Sequence, residues 1–184
     1  MHTSIASLGN EIKNRTLIVN GLSKAYAMTG WRIGYTAGPK DIIKAMTNIQ
    51  SQSTSNPTSI AQMAAVEALT GPQDFIKTML VEFDKRRKYL VSGLNSITGI
   101  SCLTPAGAFY AFPNTSKLYG KQADGKKISS SSGLALHLLE KANVALVPGD
   151  AFGDDNHIRL SYATSMENLA KGLKRIIEAV SGLK

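Results

Sequence analysis

Two stretches of this chain carry residues whose types and spacing suit chemistry. Residues 20–35, NGLSKAYAMTGWRIGY, place Lys24 in a turn after a short apolar run, and Arg32 eight residues later at the head of a second run. Gly30 and Gly34 suit a backbone that must bend or pass close to something. The pattern fits a nucleophilic or Schiff-base lysine beside a fixed anion-binding group. A surface lysine in a hairpin loop, with an arginine in an ordinary ion pair, fits the same residue types.

The second stretch is residues 157–162, HIRLSY. In a strand, Ile158, Leu160 and Tyr162 point one way and His157, Arg159 and Ser161 the other. An arginine in an otherwise apolar strand must find an anion, since burying it unpaired is costly. Its planar fork matches a carboxylate through two parallel hydrogen bonds; a paired core arginine is the alternative. His157 reads as a strand-end residue facing solvent. The three histidines lie far apart with no ligand spacing, so no metal site is expected.

The elements that must position these groups follow from periodicity. Residues 16–19 form a β-branched, apolar run leading to Lys24, and residues 31–37 a second strand ended by Gly38-Pro39. From Lys40 the period changes: Ile42, Ile43, Met46 and Ile49 predict a helix, and residues 51–57 a polar linker. An alanine-rich helix is predicted over residues 58–69, stopped by Thr70-Gly71-Pro72. A longer one follows over residues 73–94, with Phe75, Ile76, Met79, Leu80, Phe83, Leu90 and Leu94 on its apolar stripe. Residues 101–103 and 108–112 are strand candidates. Residues 114–132, rich in Lys, Gly and Ser, read as a surface loop. A helix over residues 134–141, strands over 144–147 and 157–162, and a helix over 166–180 complete the chain.

Composition narrows the function classes. Of 184 residues, 43% are apolar, the proportion of a globular protein with a real core. No apolar run is long enough to span a bilayer, and the N-terminus lacks the apolar core of a signal peptide. The single Cys102 cannot make an internal disulfide, and a cytoplasmic location is expected. The net charge of +8 raises the question of nucleic acid. The densest basic cluster, Lys85-Arg86-Arg87-Lys88, sits on a predicted helix where consecutive residues point in different directions. No basic patch with interleaved aromatics accompanies it, so neither nucleic acid nor a membrane is expected as a partner.

The stretch around Lys24 resembles the pyridoxal-phosphate lysine signature of class I aminotransferases. Gly21, Leu22 and Ser23 precede the lysine, and Arg32, Ile33 and Gly34 close the motif at the family's spacing. Met28-Thr29-Gly30-Trp31-Arg32 is similar to the bacterial aspartate-aminotransferase-like branch, and the resemblance continues to the C-terminus. It departs at Gly21, where some relatives carry a phosphate-binding serine; Ser23 is the hydroxyl left to serve there. The resemblance implies an α/β protein: the C-terminal part of a pyridoxal-phosphate-dependent transferase fold, with a partial large-domain sheet and an α+β small domain. The implied boundaries are residues 1–72 for the cofactor domain, 73–97 for a connecting helix and 98–184 for the small domain.

It also implies pyridoxal 5′-phosphate as cofactor, amino acids and 2-oxo acids as substrates, and a homodimer. Lys24 would tether the cofactor and act as general base, Arg32 would bind its phosphate, and Arg159, after the loop Pro148-Gly149-Asp150-Ala151-Phe152-Gly153, would bind the substrate carboxylate. Asn56-Pro57-Thr58-Ser59 resembles the segment that approaches a neighbouring subunit's site, though it also reads as a helix start. Gly107-Ala108-Phe109-Tyr110 resembles the strand near the substrate, with its side chains expected in the core. The acid that pairs with the pyridinium nitrogen lies, in the family, in an Asp-Glu-x-Tyr element roughly thirty residues before the lysine. Here Glu11 is the one acid before Lys24. The expectation is a chain that alone binds the cofactor poorly and turns over little, and whose interrupted parallel sheet presents an open edge and an apolar face. Residues up to about 70 would then be rearranged or covered by self-association. A non-catalytic binding remnant, or another fold-type-I enzyme such as a carbon–sulfur lyase, remains open.

Overall fold

The computed structural model describes residues 3–123 and 125–184, and the chain divides into two compact units, one ending at Lys77 and one running from Thr78 to Lys184. Residues 1, 2 and 124 lie outside the described residues.

The first unit opens with a short helix α1 (Asn10–Asn14), then strands β1 (Ile18–Gly21) and β2 (Gly34–Ala37), then helices α2 (Lys40–Ser53) and α3 (Ser59–Thr70) and the start of α4 (Asp74–Asn95). The strands pair antiparallel, from Ile18 with Ala37 to Gly21 with Gly34. This corrects the expected parallel sheet for these two strands: residues 22–33 turn the chain straight back as a hairpin loop. The second strand starts at Gly34 rather than at 31, because Thr29–Trp31 is wound into a 3-10 turn and Arg32 is left-handed at φ 50°. Gly34 is required at the closing pair: a Cβ there would stand 2.9 Å from the Asn20 carbonyl oxygen.

The small core of this unit is Leu22, Met28 and Ala65, with Tyr26, Ile33, Ala64 and Ala68 against it. Helix α3 thus turns its alanines inward. Its larger residues, Ile60 at 71% exposure and Met63 at 68%, face out with Val66. Helix α2 extends three residues into the expected polar linker and presents Ile42, Met46 and Ile49 outward at helical spacing.

In the second unit, α4 leads to β3 (Tyr110–Ala111), the hairpin β4 (Gln122–Ala123) and β5 (Lys126–Lys127), α5 (Ser131–Ala142), β6 (Val147–Pro148), β7 (Ile158–Ser161) and α6 (Met166–Ser181). β7 is the central strand of a three-stranded sheet in the order β3-β7-β6, antiparallel on both sides. Ile158, Leu160 and Tyr162 enter the core with Leu90, Leu94, Leu134, Leu138, Leu173 and Ile176. The Tyr162 hydroxyl, carried into that core, donates to the Ala108 carbonyl at 3.0 Å.

Both late helices are capped by serine. Ser130 accepts from Gly133 N at 3.1 Å and Ser165 from Asn168 N at 3.1 Å. The Ser130 cap starts α5 three residues before its first apolar position.

Residues 114–132 are not the surface loop their composition suggests. Leu118 and Ile128 are buried in the core, Thr115 is buried with its backbone N–H donating to the Asn156 carbonyl, and Gln122 and Lys184 exchange backbone hydrogen bonds. Few apolar residues are present, but each is an anchor. Residues 101–103 reduce to one bridge, Ser101 with Asn114, and residues 144–147 contribute only Val147 to a strand. The basic cluster on α4 is tied up along its own helix. Lys85 pairs with Glu82, Arg87 and Lys88 pair with Asp84, each at 2.6 Å, and Arg86 stands over the Phe83 ring.

Candidate active site

Lys24 is exposed on residues 22–33, the loop closed by the Gly21 and Gly34 pair. Leu22, fully buried two residues before it, and Met28, buried four residues after it, root the loop on α3. Between them the backbone makes a tight turn: Tyr26 N–H donates to the Leu22 carbonyl at 3.2 Å and Ala27 N–H to the Lys24 carbonyl at 3.2 Å. The Tyr26 hydroxyl donates to Gln73 Oε1 at 3.1 Å, and the Gln73 amide in turn binds the carbonyls of Ala68 and Gly71. The lysine therefore projects from a turn fastened at both ends.

Arg32 is held on the same loop. Its Nη1 donates to the Thr29 carbonyl at 2.9 Å, and the residue is left-handed. Ala27 is left-handed too, at φ 53°. Two non-glycine residues in this region within one short loop hold backbone strain of about 1–3 kcal/mol each, a feature that concentrates at functional sites. No residue type in the sequence signals it.

Ser23 is half-buried beside Lys24. A cavity of about 450 Å³ lies next to the loop, lined by Ala27, Gly30, Trp31, Thr58, Ile60 and Ala61. Lys24 and Arg32 are not in its lining. Thr58, from the segment Asn56–Ser59, is; that segment starts α3 without a side-chain cap, and Gln62 Nε2 instead donates to the Pro57 carbonyl at 2.7 Å.

In the second unit Arg159 lies half-buried on the open face of the three-stranded sheet. Sequence reasoning expected an anion partner. Instead its guanidinium carbon stands 4.4 Å from the Tyr110 ring centroid and 4.5 Å from that of Phe152. Among the described residues no carboxylate forms an ion pair with it.

Tyr110 comes from β3, where it pairs with Ser161 and so shares the face of Arg159. Its side chain is thus not simply core. Phe152 ends the 3-10 turn Gly149–Phe152 that follows β6. That turn is braced from below. Ser131 donates through N and Oγ to Asp155 Oδ1, at 2.9 and 2.6 Å, and Ser132 Oγ donates to Asp150 Oδ2 at 3.0 Å. Gly149 permits the packing, since a Cβ there would run into the carbonyls of Asp154 and His157.

His157 is also placed differently from expectation. It is stacked on Phe112, with ring centroids 4.8 Å apart and planes 12° from parallel, and its Nδ1 lies 2.8 Å from Asp154 Oδ2. The Asn156 backbone N–H, and then His157, hold the Asp154 carboxyl below the usual carboxylate range. Phe112 meets Phe152 edge-on at 6.0 Å. The rings of Tyr110, Phe152 and Phe112, which sequence reasoning did not single out as a group, thus gather around Arg159 and its neighbour. Strand alternation was the signal for Tyr110; Phe152 sits in an irregular turn and was named only within the loop that precedes Arg159.

Cys102 is buried, and burial pushes its thiol up. No group of three potential metal ligands occurs among the described residues.

Comparison with known proteins gives a consistent result. The family model described as aminotransferase class I and II matches residues 1–176. The chain is 52% identical over 179 residues to an aspartate aminotransferase of Rhizobium meliloti strain 1021, covering 97% of this chain and 44% of that protein. It is 52% identical over 173 residues to an aspartate/prephenate aminotransferase of Nitrosomonas europaea, covering 93% of this chain and 44% of that one. Among solved structures, the aspartate aminotransferase from Rhizobium meliloti matches with a TM-score of 0.94 at 50% identity, covering all of this chain and 46% of that one. An aromatic aminotransferase from Pyrococcus horikoshii matches with a TM-score of 0.85 at 37% identity, covering 98% of this chain and 47% of that one. The chain therefore spans less than half the length of these relatives. Its mixed helix and sheet is a partial fold-type-I domain.

Proposed function

Because the chain belongs to the class I and II aminotransferases, we propose that it carries the lysine-bearing part of an aspartate-aminotransferase-like enzyme that moves an amino group between an amino acid and a 2-oxo acid. Pyridoxal 5′-phosphate, the family's cofactor, supplies an electron sink that makes a substrate Cα–H bond acidic. The residues present suit its two ends: an exposed amine on a fastened turn for the carbonyl carbon, and a guanidinium on the same loop for the phosphate.

In this reading Lys24 would hold the cofactor through its amine and would move the proton at the substrate Cα. Arg32 would bind the phosphate as a charged fork, and the Ser23 hydroxyl would add a hydrogen bond. Arg159 binds the substrate carboxylate. Residues 1–72 belong to the cofactor domain, 73–97 to a connecting helix and 98–184 to the small domain. The family resemblance carries the further proposals of a homodimer and a cytoplasmic location. Among the described residues no helix is long and apolar enough to cross a membrane.

The observation that carries the proposal is the loop itself: Lys24 and Arg32 share one strained hairpin loop rooted by Leu22 and Met28. The chain alone, which spans 44% of the Rhizobium meliloti relative, is proposed to turn over little. A fusion tests this, with the preceding part of the Rhizobium meliloti aspartate aminotransferase joined ahead of residue 3. Amino transfer from aspartate to 2-oxoglutarate is expected from the fusion, little or none from the chain by itself, and none from the fusion carrying Lys24→Ala. Undiminished turnover by that variant would overturn the assignment.

A further inference from the structure

We propose that Tyr110 and Phe152 are positioning residues for Arg159, and that the clamp they form holds its guanidinium ready for a carboxylate before the ligand arrives. The inference rests on the reading of Arg159 as the carboxylate-binding group. The topology delivers the two rings from opposite sides. β7 is the central strand, β3 with Tyr110 lies along one side of it, and β6 with the turn ending in Phe152 lies along the other. Each ring centroid stands about 4.5 Å from the guanidinium carbon, at 4.4 and 4.5 Å.

Each ring has an aromatic neighbour. Tyr110 packs against Phe109 at 4.4 Å, and Phe152 against Phe112 at 6.0 Å, edge-on. The turn under Phe152 is held to the start of α5 through Ser131 and Ser132.

The consequence follows from guanidinium chemistry. Its donors all lie in one plane, and its faces are weakly hydrated and attracted to aromatic rings. The guanidinium carbon lies over both rings, which favours a pose with the in-plane N–H edge as the direction of approach. A carboxylate presents two coplanar oxygens and meets that edge with two parallel hydrogen bonds. The clamp also fixes the side chain before a ligand arrives, so the ordering that a free arginine undergoes on binding is already done. No ion pair among the described residues competes for that edge.

The test uses the full chain with ¹⁵N-labelled arginine. The Arg159 Nε–H resonance is assigned by its loss in Arg159→Lys and followed through a titration with succinate at constant ionic strength. Saturable shifts are expected, with a heteronuclear NOE at that Nε–H well above those of the exposed arginines before any ligand is added. Tyr110→Leu and Phe152→Leu are each expected to weaken succinate about tenfold, a factor within the range of a cation–aromatic contact, and to lower that NOE. Tyr110→Phe, which keeps the ring, retains both. An Arg159 Nε–H as mobile in the unaltered chain as in the exposed arginines overturns the clamp without needing any variant to fold. So does unchanged succinate affinity in both leucine variants. An unaltered chain whose Arg159 resonance responds to no carboxylate overturns the reading of Arg159 itself, and the clamp with it.

Discussion

Two residues of the lysine loop, Ala27 and Arg32, occupy a backbone region that costs an ordinary side chain about 1–2 kcal/mol. Ala27→Gly should therefore raise the chain's stability, by about 0.5–1 kcal/mol after glycine's extra entropy in the unfolded state is subtracted. Chemical denaturation reads this directly, and a loss of stability would mean the turn is not strained. Gly34 behaves in the opposite sense. Gly34→Ala brings a Cβ to 2.9 Å from the Asn20 carbonyl oxygen, a backbone atom that cannot swing away, and should destabilise by about 1–3 kcal/mol.

Asp154 gives a pH prediction. Its carboxyl is held below the usual range by the Asn156 N–H and by His157. A depressed folded-state value means the stabilisation is present above the unfolded carboxyl's pKa and fades as pH falls through the folded value. The thermal midpoint should therefore drop below about pH 4. Asp154→Asn should remove part of that drop while leaving the midpoint near neutral pH slightly lower. A variant whose acid limb matches the parent's would exclude the contribution.

Among the elements, α3 has two apolar sides of different grain. Alanines pack inward on Leu22 and Met28, and Ile60, Met63 and Val66 point out. Replacing these three with Lys, Glu and Lys should move unfolding free energy by no more than about 0.5 kcal/mol per site, since none touches the core. Leu22→Ala should lower it by about 2–5 kcal/mol, because that side chain is fully buried in a cluster too small to close over the gap.

These elements also show where sequence reasoning works. Helices α4 and α6 lie within a residue or two of the periodicity's prediction, because long amphipathic stripes dominate any local preference, and α3 does so through an alanine-rich run stopped by Thr70-Gly71-Pro72. The short strands were misplaced at their ends, and residues 114–132 were misread. There a handful of residues, Leu118, Ile128 and Thr115, decide burial through contacts distant in sequence. Arg159 was found from strand alternation, but its two aromatic neighbours come from separate segments that only the sheet order brings together.

At the scale of the molecule, the likeness to solved aminotransferases covers the first seventy residues as well as the later region, so the first unit is not rearranged. Large apolar side chains are exposed more often in it than in the second unit, Val19 at 74%, Ile49 at 71% and Ile60 at 71% among them, although the most exposed of all, Leu103 at 91%, lies in the second. The second unit has a core drawn from α4, α5, α6 and β7, while the core cluster of the first is three buried residues with four partners around them. That contrast is what a part of a larger fold looks like, in a chain that spans 44% of the Rhizobium meliloti relative. The Lys24 loop is nonetheless rooted within its own unit, which makes its chemistry testable in the chain as it stands.

The most direct measurement is reductive trapping. The chain is mixed with pyridoxal 5′-phosphate, reduced with borohydride, digested, and the label located by mass spectrometry. Lys24 should carry the label well ahead of the other lysines, and Arg32→Ala should abolish that preference. Labelling spread evenly over the exposed lysines, with Lys24 no more reactive than Lys77 or Lys174, would contradict the role assigned to the loop.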